Sequence, residues 1–185
     1  LNFYNDSLFI NEYFKISSIT KIIKNYLIYK KKFLNLKKYL FEDYDDLELN
    51  HVCILLKNDF EESLSGKTLL ENLTWILLFE NLLKSIPYQR KGIYIYENQP
   101  WERAFIKSWK KYKHGKLYGF VTASVHFWLL NYFDTNSNLI SRPDNVLCSS
   151  EFTKSFLKEN DFKNDQIFIV EAYKYNKIYK KKISN

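Results

Sequence analysis

The sequence predicts an α/β fold in its second half. Short β-branched and aromatic runs at residues 92–97, 116–121, 145–148 and 166–170 alternate with segments of helical spacing. Gly and Pro residues separate these segments at the points where strands and helices are expected to end. Strands that alternate with helices imply parallel pairing through right-handed crossovers. We therefore expect a Rossmann-like parallel sheet with flanking helices over residues 91–170.

The first half of the chain has the apolar spacing of helices. Apolar residues recur every three to four positions over about 17–39 and 68–86, and the region 49–64 also favours a helix. Gly66 interrupts the pattern between the second and third of these segments. Residues 1–90 are therefore predicted to form a mainly helical N-terminal region.

Helix ends within the α/β part are marked by specific residues. Pro100 opens a predicted helix at about 101–112, because proline is favoured at the first helical position. Ser149 or Ser150 is expected to cap a second helix that runs to Asn160.

Composition places limits on the class of protein. The chain has 185 residues, of which 46% are hydrophobic and 26% charged, and this is sufficient for a folded core and excludes wholesale disorder. Cys53 and Cys148 lie in hydrophobic surroundings far apart in sequence, so we expect buried free thiols in a reducing, cytoplasmic compartment. The chain lacks a phosphate-binding Gly-rich loop, a Gly-x-Ser-x-Gly motif and zinc-ligand spacing, so no cofactor or metal is expected.

The net charge of +7 is concentrated in two Lys-rich stretches. Seven lysines fall between Lys21 and Lys38, and five between Lys174 and Lys182, in the basic segment 171–185. Such surfaces favour nucleic acid, nucleotide phosphates or the negative inner face of a membrane. The alternative is that these lysines form solvated helix faces. Charge alone is the only argument for nucleic acid, since no RNA-binding signature occurs, and we expect no nucleic-acid partner.

A dense polar cluster follows the first predicted strand. Its members are Glu97, Asn98, Gln99, Pro100, Trp101, Glu102 and Arg103. Ligands of open α/β sheets bind at the carboxyl ends of strands, and a helix N-terminus there attracts anions. Glu97 is the candidate general base and Glu102 the second candidate, while the remaining polar side chains and Trp101 are candidates for substrate binding. The alternative is that Gln99 and Glu102 cap the helix while Trp101 packs inward.

A second polar cluster follows the second predicted strand. Thr122, Ser124 and His126 alternate there and are expected to emerge at the same edge of the sheet as Glu97. They are further candidates for substrate binding. The alternative is that His126 is a hydrogen-bonded structural residue.

Several short motifs resemble a known family. They are Ile-Tyr-Ile-Tyr-Glu-Asn-Gln-Pro-Trp-Glu at 93–102, Gly-Lys-Leu-Tyr-Gly at 115–119, Val-His-Phe-Trp at 125–128, Arg-Pro-Asp at 142–144 and Val-Glu-Ala-Tyr-Lys-Tyr at 170–175. Together they resemble bacterial surface-carbohydrate biosynthesis proteins of O-antigen and capsule clusters, which are glycosyltransferases with two Rossmann domains (the GT-B type). The chain departs from the family pattern at two positions, where Thr122 replaces a His and His126 an Arg.

The resemblance implies a function and implies that donor and acceptor bind to different domains. It implies transfer of a sugar from a nucleotide sugar to a glycan or lipid-linked acceptor, at the inner face of the membrane. In GT-B enzymes the donor binds mainly to the C-terminal domain, which would begin near Glu171, another candidate substrate-binding residue. The chain begins with Leu1 and contains no Met, so we expect a fragment of a longer reading frame. The resemblance implies that this fragment is the N-terminal, acceptor-side domain and that it is inactive alone. The alternative function is a non-catalytic Rossmann-like ligand-binding module. The Lys21–Lys38 helix is a candidate for peripheral contact with anionic membrane.

Overall fold

The computed structural model describes residues 10–40, 47–97, 99–122 and 142–170. The chain divides into two compact units, Leu1–Ser85 and Ile86–Asn185. Asn98, Ser124, His126 and Glu171 lie outside the described residues.

The first unit contains three α-helices after a short 3₁₀ turn. They are α1 (Ile16–Leu40), α2 (Leu47–Ser65) and α3 (Lys67–Ser85), and the turn is Ile10–Tyr13. Each helix lies within two residues of its predicted position, and the three pack against one another. Among the described residues, no helix has the length and apolar content needed to cross a membrane.

The core of the first unit lies between α1 and α3. Ile22 packs there with Leu69, Leu73 and Leu77, which recur every four residues on one side of α3. Tyr26 is half-buried against this cluster, and its hydroxyl donates a hydrogen bond of 2.6 Å to the carbonyl of Ser65 at the end of α2. The same face of α1 therefore contacts both of the other helices.

The second unit contains a parallel sheet. Its strands are β1 (Lys91–Ile95), β2 (Lys116–Phe120), β3 (Asn145–Cys148) and β4 (Ile167–Ile169), arranged in the order β1-β2-β3-β4 with every pair parallel. Two helices, α4 (Pro100–Lys111) and α5 (Glu151–Glu159), follow β1 and β3. This confirms the α/β class and the parallel sheet. One half of a Rossmann sheet has three strands in consecutive order, and this sheet continues that order over four.

Helix α4 packs closely on one face of β1. A Cβ atom added to Gly92 would lie 2.6 Å from the indole of Trp109, so only glycine leaves room for that ring. The ring of Tyr94, two residues along the strand, meets Phe105 edge to face at 5.6 Å between centroids. The aromatic side chains of α4 thus set the distance between the helix and the strand.

The strands β1, β2 and β4 differ from their predicted ranges by one or two residues at their ends. The first strand ends at Ile95 instead of residue 97, and the backbone N–H of Glu97 donates to the Glu102 carboxylate. The ladder still gains one bond beyond the strand, from the N–H of Tyr96 to the carbonyl of Phe120 at 2.9 Å. The last strand covers Ile167–Ile169, since residues before it form a 3₁₀ turn.

The turn between α4 and β2 is closed by two backbone contacts of Gly115. Its N–H donates to the carbonyl of Gln89 at 2.7 Å, and its carbonyl accepts a bond of 2.6 Å from the indole N–H of Trp109. A Cβ atom at this position would overlap with the backbone carbonyl of Arg90. Lys113, two residues earlier, has a positive φ of 55°. The turn therefore requires glycine at one position and tolerates a left-handed Lys at the other.

We predict that Gly115→Ala lowers the free energy of unfolding by about 1–3 kcal/mol, because the added methyl must displace backbone and not a flexible side chain. The matched control is Lys113→Gly, which removes a left-handed non-glycine residue and is expected to leave stability unchanged or slightly raised. Thermal and urea unfolding followed by circular dichroism measure both. Equal stability of Gly115→Ala and the unaltered chain would contradict the turn geometry.

Candidate functional site

The carboxyl edge of β1 and β2 brings one described residue of each predicted polar cluster together. The parallel register pairs Ile95 with Phe120, and it continues so that Glu97 lies beside Thr122. The Thr122 hydroxyl donates a hydrogen bond of 2.6 Å to Oε1 of Glu97. Glu97 is exposed and Thr122 is half-buried. The structure thus places an accessible carboxylate and a hydroxyl in contact at the edge where α/β proteins bind ligands.

The loop that carries Glu97 is held by a buried carboxylate. Glu102 is 1% exposed, and its Oε1 accepts the backbone N–H groups of Glu97 at 2.8 Å and of Gln99 at 2.9 Å. Hydrogen bonds to an ionised acceptor are stronger than neutral ones, and a negative charge in the first helical turn is favoured by the helix dipole. Glu102 therefore has the contacts of a capping residue, as the structural alternative for this cluster predicted.

The local sequence explains why the chain turns here. Gln99 occupies the N-cap position in an extended conformation, and Pro100 is the first residue of α4. The fixed φ of proline suits the first helical turn, and its missing N–H removes one donor that would lack a partner. Glu102 stands three residues after the N-cap, where a Glu reaches back to the N-cap N–H.

The other residues predicted near Glu97 are distributed between surface and core. Trp101 is half-buried, and its ring contacts that of Tyr94 edge to face at 6.3 Å. Part of the indole therefore packs inward, as the structural alternative predicted, and part stays accessible. Gln99 and Arg103 are exposed on the first turn of α4.

The next strand along the same edge ends in a buried thiol. Cys148 is buried and free, as the sequence predicted, whereas the side chain of Cys53 lies outside the described residues. Burial raises the pKa of the Cys148 thiol, so the uncharged form is favoured and a nucleophilic role is disfavoured.

Ser150, and not Ser149, caps α5, because its Oγ accepts the N–H of Thr153 at 3.1 Å.

The Arg-Pro-Asp motif supports β2 from the side of β3. The backbone N–H of Leu117 donates to Oδ2 of Asp144 at 2.8 Å, which closes the start of the β2–β3 ladder. The Arg142 guanidinium lies 4.2 Å from the ring centroid of Phe162, and Pro143 lies against Gly119. Sequence analysis missed this structural role, because the bond joins two residues that only the strand order brings together.

The described residues hold no group of three or more His, Cys, Asp or Glu side chains arranged to bind a metal ion. Comparison with known proteins yields no matching family model, no matching curated protein and no matching solved structure.

We predict that Glu102→Ala lowers the free energy of unfolding by about 1–3 kcal/mol, because two backbone N–H groups lose their acceptor. Glu102→Gln keeps an acceptor oxygen and is expected to cost less. The control is Glu151→Ala, which removes an exposed carboxylate from the first turn of α5 and is expected to change little. Urea unfolding separates these outcomes. A Glu102→Ala variant no less stable than Glu151→Ala would contradict the capping role.

Proposed function

We propose that this chain is the acceptor-side, N-terminal half of a GT-B glycosyltransferase of bacterial surface polysaccharide biosynthesis, acting at the cytoplasmic face of the membrane. The observation that carries the proposal is the contact between Glu97 and Thr122 at the carboxyl edge of the parallel sheet. That edge is the usual ligand-binding edge of such sheets, and Glu97 begins the Glu-Asn-Gln-Pro-Trp-Glu motif while Thr122 follows the second strand.

The reaction requires a base on the acceptor side if the enzyme inverts. The acceptor hydroxyl oxygen forms a bond to the anomeric carbon of the donor, and the bond from that carbon to the phosphate oxygen breaks. The hydroxyl proton passes to the base, and the nucleoside diphosphate leaves. We assign the base to Glu97, because its carboxylate is exposed to an incoming hydroxyl. The Thr122 bond to Oε1 fixes the carboxylate, and Oε2 is the atom that we assign to the acceptor proton.

Acceptor recognition falls to side chains beside Glu97. Trp101 keeps part of its indole accessible and can stack on the apolar face of a sugar ring. Gln99 and Arg103 are exposed on the same helical turn and offer hydrogen bonds to sugar hydroxyls. Asn98, Ser124 and His126 remain assigned to the acceptor from the sequence, and Glu171 to the boundary with the donor domain. Glu102 holds the loop and is a positioning residue in this account.

A non-catalytic binding module is the second candidate function. One observation favours it. Glu102, the second carboxylate of the cluster, is buried and bonded to the backbone, so it is not accessible for catalysis. Only Glu97 then remains as an accessible carboxylate in the described part of the cluster, and a sugar can be bound through the same residues without any transfer.

We predict that Glu97→Gln lowers turnover of the full reading frame by roughly 10²–10⁴-fold, because the amide keeps the size of the side chain but cannot accept the proton. The KM for acceptor and the melting temperature are expected to change little. The control is Glu159→Gln, an exposed substitution at the end of α5 that is expected to leave turnover unaltered.

The same variant distinguishes catalysis from capping. If Glu97 only stabilises the loop, Glu97→Gln lowers the melting temperature and leaves the activity per folded molecule unchanged. That result would end the assignment of Glu97 as the base. Absence of any transfer by the full reading frame, together with retained glycan binding, would instead support the binding module.

We further predict that the 185-residue chain alone shows no saturable binding of nucleotide sugars below about 1 mM, because the donor half of a GT-B enzyme lies outside it. Isothermal calorimetry with a panel of uridine, guanosine, cytidine and thymidine diphosphate or monophosphate sugars provides the measurement. Micromolar binding by this chain would contradict its assignment as the acceptor side.

A further inference from the structure

Helix α1 packs on the other helices through one face only. Ser18, Ile22 and Phe33 on that face are buried, and Tyr26 reaches α2 from it. A second face lies about 100° round the helix axis from the first, because Ile23, Leu27 and Leu34 each follow a residue of the packed face by one position.

That second face carries a line of large aliphatic side chains. Ile16, Ile23, Leu27 and Leu34 are between 52% and 85% exposed. Steps of seven, four and seven residues keep them on one side of a helix with 3.6 residues per turn. At 1.5 Å per residue the line extends over about 27 Å. We call these four residues the outer stripe.

Lysines flank the outer stripe on both sides. At 100° per residue, Lys30 and Lys37 lie along one side of it and Lys24 and Lys31 along the other. Helix α1 contains seven Lys and no Asp or Glu. The Lys37 ammonium pairs with Glu61 of α2 at 2.6 Å, and the other three flanking lysines are exposed. The surface therefore combines apolar area with positive charge that no acidic residue of α1 offsets.

We propose that α1 lies in the plane of an anionic lipid bilayer, with the outer stripe inserted at the boundary between headgroups and acyl chains. An apolar stripe between rows of Lys is the pattern by which helices bind to such interfaces. The lysines would pair with lipid phosphates, and their long apolar stems allow the ammonium groups to reach the headgroup level.

Charge complementarity favours lipid over a second copy of the chain. Two copies joined through the outer stripe would place the lysines of one α1 against those of the other, without any acidic residue on either helix to offset them. A solvated Lys face would explain the charge but not four aligned aliphatic side chains, since exposed apolar patches usually mark interaction sites. The inference is independent of the transfer chemistry, because vesicle binding requires no enzymatic activity.

The test is co-sedimentation of the 185-residue chain with vesicles. We expect binding to vesicles that contain about one third phosphatidylglycerol in phosphatidylcholine, and weak or no binding to phosphatidylcholine alone. Raising the salt from about 0.05 M to 0.5 M should weaken binding, because charges are screened within a Debye length that falls from about 14 Å to about 4 Å. Absence of binding to the anionic vesicles at low salt would overturn the proposal.

Paired variants separate the two contributions. Lys24→Gln with Lys31→Gln should lower the partition coefficient by about 25-fold, at about fivefold per Lys. Ile23→Gln with Leu27→Gln should lower it by about tenfold or more at unchanged charge. The controls are Lys84→Gln with Lys107→Gln and Phe152→Gln, which remove exposed lysines and an exposed apolar side chain of other helices. Equal losses in the controls and the α1 variants would overturn the assignment to α1.

Two further measurements test whether the variants fold and whether the chain is a monomer without lipid. Circular dichroism and thermal unfolding should show that all variants fold, since every substituted position is exposed. Sedimentation velocity without lipid should give a monomer. A dimer that dissociates in the Ile23→Gln, Leu27→Gln variant would assign the outer stripe to a second copy and overturn the proposal.

Discussion

The bond between the buried Glu102 carboxylate and the backbone N–H groups of Glu97 and Gln99 is the interaction on which the site depends. One oxygen atom accepts both donors, and it does so at 1% exposure, where an uncompensated N–H would be costly. This single contact ends β1, starts α4 and directs the intervening loop to the sheet edge.

The contact between Glu97 and Thr122 also requires the parallel register of β1 and β2. Because β1 and β2 run in the same direction with aligned ends, residues that follow each strand by the same number of positions become neighbours. Glu97 and Thr122 are such a pair, and their hydrogen bond is a direct consequence of the ladder. Packing of Trp109 on Gly92 keeps α4 close to β1, so the first turn of the helix lies next to the same edge.

The fold was predictable from local signals, whereas the use of individual side chains was not. Strand and helix positions follow from the alternation of β-branched runs with helical spacing and from Pro100 and Gly115, and those signals are local. Glu102 satisfied two interpretations at once, because a Glu at the third helical position suits both a cap and an acid–base group. Only its burial and its two backbone donors identify the cap. The Asp144 bond to Leu117 depends on strand order, which the sequence does not encode locally.

The exposure of the outer stripe of α1 also could not be predicted from the sequence alone. In the sequence Ile22 and Ile23, or Phe33 and Leu34, look equally suited to a core. In the packed unit, where α1 contacts both α2 and α3, the first of each pair is buried and the second is exposed. The distinction between core and interaction surface thus arises from tertiary contacts and not from hydrophobic periodicity.

Amide hydrogen exchange measured by nuclear magnetic resonance tests the central claim most directly. If Glu102 holds the loop, the N–H groups of Glu97 and Gln99 exchange slowly, at rates comparable with those inside α4 and far below those of an open loop. Exchange of these two N–H groups at the rate of an unprotected chain, while the amides of α4 stay protected, would show that the loop is not held and would contradict the account.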